Sequence, residues 1–310
     1  MRIKVVTSEY PPHLGGVATW TAAVAGALRG AGHEVQVFAH LGGGEGVNRL
    51  RGRHWNRWGH AWTATQVRPR LSAGDVVLAS TWPLAVYFAP ETPLAVAWHG
   101  SDLTRPPLIA GREKVAGRAV NFPVSRYLGS LLGERHTVLP YPIEPGPVAR
   151  RGEALLVIAR LGPLKGVDRA VRLAARLGRP LVVVGEGPER VRLQALAAEL
   201  GVKADFRGAT RDIPWDGTWA LAMLSRPDTD GTGAEGLGLV MLEAAARGIA
   251  SIGSACGGIP EAASVILADP EQDHVPPLPS SDEVRDWLVA NHGTVRCIQA
   301  FEAAFDGLRA

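Results

Sequence analysis

Pro140-Tyr141-Pro142-Ile143-Glu144-Pro145-Gly146-Pro147 holds four prolines in eight residues. Proline fixes φ and donates no backbone hydrogen bond, so neither a helix nor a central strand runs through this stretch. The chain is therefore expected to divide here. On both sides, short β-branched runs alternate with helical patterns, which is the signature of βαβ units and a parallel sheet. Upstream, residues 3–7 read as a strand, followed by a loop to Gly16 and a helix with Val17, Trp20, Val24, Ala27 and Leu28 at helical spacing, stopped by Gly30 and Gly32. Further strands are expected at 34–39, 75–79, 94–98, 119–124 and 137–139. Downstream, strands at 155–159, 181–184, 204–206, 219–224 and 249–253 alternate with helices at 167–177, 189–200 and 237–247. A polar, proline-rich loop at 269–281 leads to a helical tail at 282–308, broken near 291–293. The expected class is α/β with two doubly wound, Rossmann-like domains, at 1–145 and 146–290, and a closing helix at 291–310.

The 310 residues suit two domains of about 150 residues each. Hydrophobic residues make up 46% and charged residues 20%, a globular balance that excludes a disordered or fibrous chain. The net charge of +3 is too small for a protein that wraps polyanions, so nucleic acid is not an expected partner. Cys256 and Cys297 match no metal or redox spacing and read as free thiols in a reducing compartment. The N-terminus enters a strand without a signal-peptide pattern, and the longest apolar stretch, 76–90, is short and interrupted by Ser80, Thr81 and Pro83. The expected location is cytoplasmic. Lysine occurs only at positions 4, 114, 165 and 203, a scarcity that reads as coding bias and takes weight off the arginine count.

The strongest chemical signal is Glu235-Gly236-Leu237-Gly238-Leu239-Val240-Met241-Leu242-Glu243. Glycines ahead of a helix let an anion reach its free N–H groups, and the helix dipole favours that anion. Glu243, in the second turn, leans back toward the same point. A carboxylate beside a phosphate repels it, so Glu243 suits neutral hydroxyls such as those of a ribose next to a diphosphate. A capped surface helix with two solvated acids is the plainer account. In Ala159-Arg160-Leu161-Gly162-Pro163-Leu164-Lys165-Gly166, two cations sit on the loop leaving a strand, where parallel sheets bind ligands. Gly185-Glu186-Gly187-Pro188 reads mainly as an ordinary βα turn. His13-Leu14-Gly15-Gly16 and His99-Gly100-Ser101-Asp102 follow strands in the first half, where core or turn roles compete with functional ones.

Taken together, Gly15-Gly16 with Gly32-His33-Glu34-Val35, His99-Gly100, Arg160-Leu161 with Lys165-Gly166, Phe206-Arg207-Gly208, the Glu235 to Glu243 motif and Gly257-Gly258-Ile259-Pro260-Glu261 resemble the GT-B glycosyltransferases, and within them the retaining group 4 (GT4) family, over nearly the whole chain. The resemblance implies two Rossmann-like domains facing across a cleft, the first on the acceptor side, the second binding a nucleotide sugar, with the last helix returning to the first. It implies Arg160 and Lys165 at the donor diphosphate, Gly238, Leu239 and Val240 offering N–H groups to the phosphates, Glu243 on the ribose, and Glu235 and His99 on the transferred sugar. Gly15 and Gly16 would let their loop close over the donor. The implied reaction moves a sugar to an acceptor hydroxyl with retention, without a metal ion or a cofactor beyond the nucleotide-sugar co-substrate, as in glycoconjugate, polysaccharide or secondary-metabolite biosynthesis. A sugar-nucleotide epimerase of the same architecture, or a silent nucleotide-sugar-binding module, would share most of these residues.

Two positions depart from the pattern. Leu237 replaces the usual phenylalanine between the glycines, and Tyr141-Pro142 stands where the linker commonly has Asn-Gly. The chain is also short for the family in its first half. Asp228-Thr229-Asp230 offers a divalent-metal pair in the other large glycosyltransferase fold, but its Gly/Thr-rich setting speaks against that use. Between positions 49 and 70, Arg49, Arg51, Arg53, Arg57, Arg68 and Arg70 mix with Trp55, Trp58 and Trp62. Trp55 and Trp58 are candidates for stacking on an acceptor sugar, and the segment also suits peripheral contact with an anionic membrane, or a solvated loop with a few buried tryptophans.

Overall fold

The computed structural model describes residues 1–52, 57–100, 103, 112–227 and 235–306. Two compact units emerge, one formed by Met1–Pro142 with His292–Ala310 and the other by Ile143–Asn291. Each is built on a six-stranded sheet whose described pairings are all parallel.

In the first unit the strands are β1 (Arg2–Glu9), β2 (Glu34–Leu41), β3 (Val47–Arg49), β4 (Asp75–Ala79), β5 (Leu94–Trp98) and β6 (Val120–Pro123), in the order β3-β2-β1-β4-β5-β6. The chain winds outward from β1 in one direction and then in the other, so the order reverses between β1 and β4. In such sheets the ligand crevice lies beyond the carboxyl ends of the strands at this reversal. All five residues of β4 and of β5 are buried, as expected for strands covered on both faces. Helix Gly16–Gly30 lays Trp20, Val24 and Leu28 into this core. The last helix, Thr294–Asp306, belongs to this unit: Phe301 stacks on Phe122 with ring centroids 5.2 Å apart, and Glu302 meets His33 at 3.0 Å. Cys297 of that helix is fully buried, and burial pushes its thiol up to about 12.

The second unit repeats the design with β7 (Ala154–Ile158), β8 (Leu181–Val184), β9 (Ala204–Gly208), β10 (Thr218–Met223), β11 (Ser251–Ser254) and β12 (Val265–Leu267) in the order β12-β11-β10-β7-β8-β9. Its reversal falls between β7 and β10. Helix Val167–Leu177 buries Val167, Ala170, Val171, Leu173 and Ala174 on one face, the period expected of an amphipathic helix.

Several expected boundaries change. Residues 137–139 form no strand: His136 makes one isolated bridge to Asn121, Thr137 donates to the Asn121 carbonyl, and Pro140 then ends pairing. The helix expected at 237–247 is shorter, Leu239–Ala245, because Gly238 adopts a left-handed conformation at φ 86° and caps it. The strand expected at 249–253 is shifted to Ser251–Ser254. The Arg/Trp segment is not simply a loop, since residues Arg57–Val67 form a helix, and its described tryptophans are exposed rather than buried, Trp58 at 76% and Trp62 at 53%.

Candidate functional site

In the second unit, the candidate residues gather at the carboxyl ends of β7 and β10. The chain leaves β7 through Arg160, whose side chain is exposed, and enters a single 3-10 turn, Pro163–Lys165. Proline at the first position pre-sets φ for that turn, and Lys165 N–H donates to the Gly162 carbonyl at 3.0 Å. Gly166 closes it in the left-handed region at φ 61°, and a Cβ there would sit 1.9 Å from the Leu224 carbonyl oxygen at the end of β10. Only glycine fits, so the turn presenting Lys165 is pressed onto the neighbouring strand.

Lys165 Nζ donates to Glu235 Oε2 at 2.5 Å, and both side chains are largely shielded. This pair joins the two strongest sequence signals. Glu235 is itself anchored from behind, because Gly258 N–H donates to its carbonyl at 2.9 Å. The Gly257-Gly258-Ile259-Pro260-Glu261 motif thus acts on the site through the backbone, with Gly257 at φ 58° and residues Ile259–Glu261 in a 3-10 turn. The Cys256 thiol beside it is pushed up, chiefly by burial and partly by the Glu235 charge.

Gly238 is held in the left-handed region that favours glycine, and a Cβ there would push on the flexible ends of Met241 (Cε at 2.6 Å) and Met223 (Sδ at 2.7 Å). Leu239 and Val240 open the short helix and are half-buried, with first-turn N–H groups that the helix itself does not use. Glu243 follows on the same helix, half-buried. Burial lifts its carboxyl above the usual range, while the Arg247 charge pulls it partly back. A half-buried carboxyl at this place suits hydroxyl partners better than a phosphate.

The Gly185-Glu186-Gly187 turn has a structural explanation. A Cβ on Gly185 would lie 1.9 Å from the Ala159 carbonyl oxygen, and one on Gly187 2.3 Å from that of Leu161. Leu161 N–H also donates to the Glu186 carbonyl at 2.8 Å. These glycines admit the Arg160 loop against the backbone, and a ligand is not needed to account for them.

In the first unit, Gly15 and Gly16 follow β1 at the start of its helix. Gly15 is extended, and its α-carbon faces Glu9, whose Oε2 would lie 2.9 Å from an added Cβ. Gly16 has no atom within 4 Å of where a Cβ would stand. His99, after β5, is half-buried and rests edge-on against Trp20 at 4.9 Å. Burial drops its pKa to about 4, against a smaller upward pull from a hydrogen bond with the Ser80 backbone, so the ring is neutral at physiological pH. Trp58 stands on the exposed face of helix Arg57–Val67, away from β1 in sequence and without a buried role. Trp55 and the Asp228-Thr229-Asp230 pair lie outside the described residues.

Sequence reasoning missed three groups. Glu9 ends β1 with its carboxylate 3.8 Å from His13, and its only local signal is the strand end. Arg226 binds Asp168 through both guanidinium nitrogens, at 2.8 and 3.1 Å, across a separation of 58 residues that no local motif reveals.

With this geometry, similarity to known proteins is informative. Residues 146–264 match the family described as glycosyl transferases group 1. Over 84% of its length the chain is 29% identical to a GDP-mannose-dependent alpha-(1-6)-phosphatidylinositol monomannoside mannosyltransferase of Mycobacterium tuberculosis, covering 82% of that protein. A monoacylated-substrate counterpart from Corynebacterium glutamicum is 35% identical over 33% of the chain, which corresponds to 29% of the relative. Among solved structures, AviGT4, a glycosyltransferase involved in avilamycin A biosynthesis, superposes with a TM-score of 0.74 at 22% identity, covering 98% of this chain and 97% of that one. HepE of Anabaena, solved with UDP and glucose, gives a TM-score of 0.75 at 16% identity, covering 98% and 99%. These structural likenesses concern the fold.

Proposed function

Starting from a chain that is a glycosyltransferase of the GT-B fold, with a group 1 domain in its second half, we propose that it transfers mannose from GDP-mannose to a hydroxyl of a mannosylated inositol phospholipid, retaining the anomeric configuration and using no metal ion. The donor and acceptor follow from the relatives spanning most of the chain, whose names specify GDP-mannose and phosphatidylinositol monomannoside. The observation that carries the reading is the Lys165–Glu235 pair at the carboxyl edge of the second sheet.

The pair gives a simple sequence of events. Before the donor binds, Lys165 and Glu235 neutralise each other. A diphosphate competes for the Lys165 ammonium, joined by the exposed Arg160, and frees the Glu235 carboxylate to accept from hydroxyls of the mannosyl group. As the glycosidic bond breaks, charge grows on the diphosphate, and two preorganised cations stabilise it where it develops. Gly238, Leu239 and Val240 add backbone N–H groups, and Glu243 accepts from the ribose. The acceptor oxygen attacks the face the diphosphate leaves, and its proton passes to a phosphate oxygen of the departing GDP. By the resemblance, Gly15 and Gly16 act on the donor and His99 on the transferred sugar. A neutral His99 exchanges hydrogen bonds with sugar hydroxyls without adding charge.

A lipid acceptor implies work at a membrane surface. Among the described residues no helix is long and apolar enough to cross a membrane. We place the enzyme in the cytoplasm, in peripheral contact with the bilayer through the Arg/Trp segment. Trp58 then serves that contact or the sugar of the lipid headgroup.

Calorimetry with GDP and UDP, beside transfer of labelled mannose to phosphatidylinositol monomannoside, tests the reading. GDP should bind more tightly than UDP. Glu243→Ala should weaken GDP binding roughly tenfold, while Glu235→Ala should leave it intact and lower turnover by about 10²-fold or more. The assignment fails if both variants bind GDP like the wild type, or if activity disappears with EDTA and returns with a divalent cation.

A further inference from the structure

Arg226 lies just beyond β10 and grips the turn that carries Lys165. Its guanidinium donates to Asp168 Oδ1 at 2.8 Å, to Asp168 Oδ2 at 3.1 Å and to the Pro163 carbonyl at 3.2 Å. Its own N–H donates to the Leu164 carbonyl at 2.9 Å. Asp168 opens helix Val167–Leu177, three residues after Lys165, so the clamp holds the turn before and after the lysine. On the other side Gly166 abuts the Leu224 carbonyl. Burial raises the Asp168 carboxyl, but the Arg226 hydrogen bonds and charge, with a smaller share from Arg192, outweigh it and hold the carboxyl below its usual range. Arg226 is 27% exposed and Asp168 16%, so water screens this bidentate pair less than a surface ion pair.

Resting on the reading of Lys165 as a diphosphate ligand, we propose that Arg226 is a positioning residue that fixes the Pro163–Lys165 turn through Asp168 and two backbone carbonyls, so that the Lys165 ammonium stands ready where the donor diphosphate binds. A planar fork is needed to span a carboxylate and a carbonyl at once, and lysine, a point charge, does not replace it. A displacement of about 1 Å in such a group is enough to lower turnover by roughly 10²-fold.

The test is a double-mutant cycle read by GDP calorimetry and by mannosyl turnover in the full chain, with urea unfolding to confirm that each variant is folded. Arg226→Ala should weaken GDP binding about tenfold and cut turnover further, and Arg226→Lys should restore little of either. In a Lys165→Ala background, adding Arg226→Ala should change GDP affinity by less than about twofold, because the effect passes through the missing ammonium. Should Arg226→Ala unfold the protein, Asp168→Asn, which keeps the shape and weakens the clamp, carries the same expectation. Full additivity of the Lys165 and Arg226 effects, or wild-type binding and turnover in Arg226→Ala, overturns the inference. If Lys165→Ala itself binds GDP normally, the donor-site reading has failed, and the positioning role falls with it.

Discussion

The two units share one strand order and hold their loops in different ways. In the second, the glycines of the site turns are pressed on by protein: Gly166 by the Leu224 carbonyl, Gly185 by that of Ala159 and Gly187 by that of Leu161. Its charges are paired in advance, Lys165 with Glu235 and Arg226 with Asp168. In the first, Gly15 is extended and touched only by the flexible end of Glu9, and Gly16 faces open space. That unit also buries an ion pair, Lys4 with Asp75 at 3.5 Å, beside histidines whose pKa burial lowers. A site loop fixed by backbone contacts spends no binding energy on ordering when the ligand arrives, whereas glycines that nothing in the protein requires leave room for something else.

This contrast is most exposed to test at the glycines. Gly166→Ala forces a left-handed conformation on alanine, costing about 1–2 kcal/mol, and drives its Cβ into the Leu224 carbonyl as well. The turn must move, so turnover should fall by roughly 10²-fold or more alongside a lower urea midpoint. Gly16→Ala should leave stability within about 0.5 kcal/mol of wild type while raising the donor KM, if that loop exists to approach the donor. Equal destabilisation by the two substitutions would erase the difference between the units.

Acid should separate the units next. His99 and His292, both of the first unit, are lowered by burial to about 4, and the Tyr141 N–H donating to His292 Nδ1 requires a ring nitrogen free of its proton. Unfolded histidine takes up its proton near pH 6.5, before these two can in the folded state. Stability is therefore whole above about pH 6.5 and is lost as the pH falls toward 4, by up to roughly 3 kcal/mol for each ring. Buried His40 is lowered by the same cause and adds to the loss. In the second unit the raised Glu243 carboxyl works in the other direction, since the folded state protonates first and gains from acid. Hydrogen exchange followed peptide by peptide from pH 7 to pH 5 should show protection falling in residues 1–142 and 292–306 ahead of 143–227. Parallel loss in both would show that the histidines do not govern the response.

What the sequence made legible follows the same division. Helix Val167–Leu177 and strand Leu181–Val184 could be read to the residue, since one-sided apolar spacing, Gly166 and Gly178 mark the helix ends and a β-branched run marks the strand. The site motifs of this unit are equally local, because each turn needs its own glycine. The Lys165–Glu235 contact spans 70 residues, and only the resemblance to a family brought its two halves together before the fold did. Arg226 and Asp168 stayed hidden, as their pairing depends on where β10 ends against β7. The edge strands β3 of the first unit and β12 of the second, three residues each, are too short to carry a period. Helix Arg57–Val67 mixes Trp58, Gly59, His60 and Trp62 without a clean apolar face, so arginines and tryptophans alone did not announce it.

That helix supplies the smallest effect. Second-unit surface arginines have acidic neighbours, such as Arg150 with Asp216 and Arg207 with Asp205. The first unit carries no Asp or Glu between Glu45 and Asp75, a stretch with six arginines. Trp58 and Trp62, one turn apart, are both exposed there. Tryptophan settles at the boundary between headgroups and acyl chains, and arginines in a stretch free of acidic residues draw the surface toward anionic lipid. Trp58→Ala with Trp62→Ala should therefore weaken binding to vesicles containing phosphatidylinositol by roughly three- to tenfold, and wild-type binding should fall as salt rises. Donor KM with a water-soluble acceptor should not change. If vesicle binding is unaltered while the acceptor KM rises in vesicle-free buffer, the tryptophans stack on the acceptor sugar instead. With neither altered, this face differs from the second unit's surface in composition but not in use.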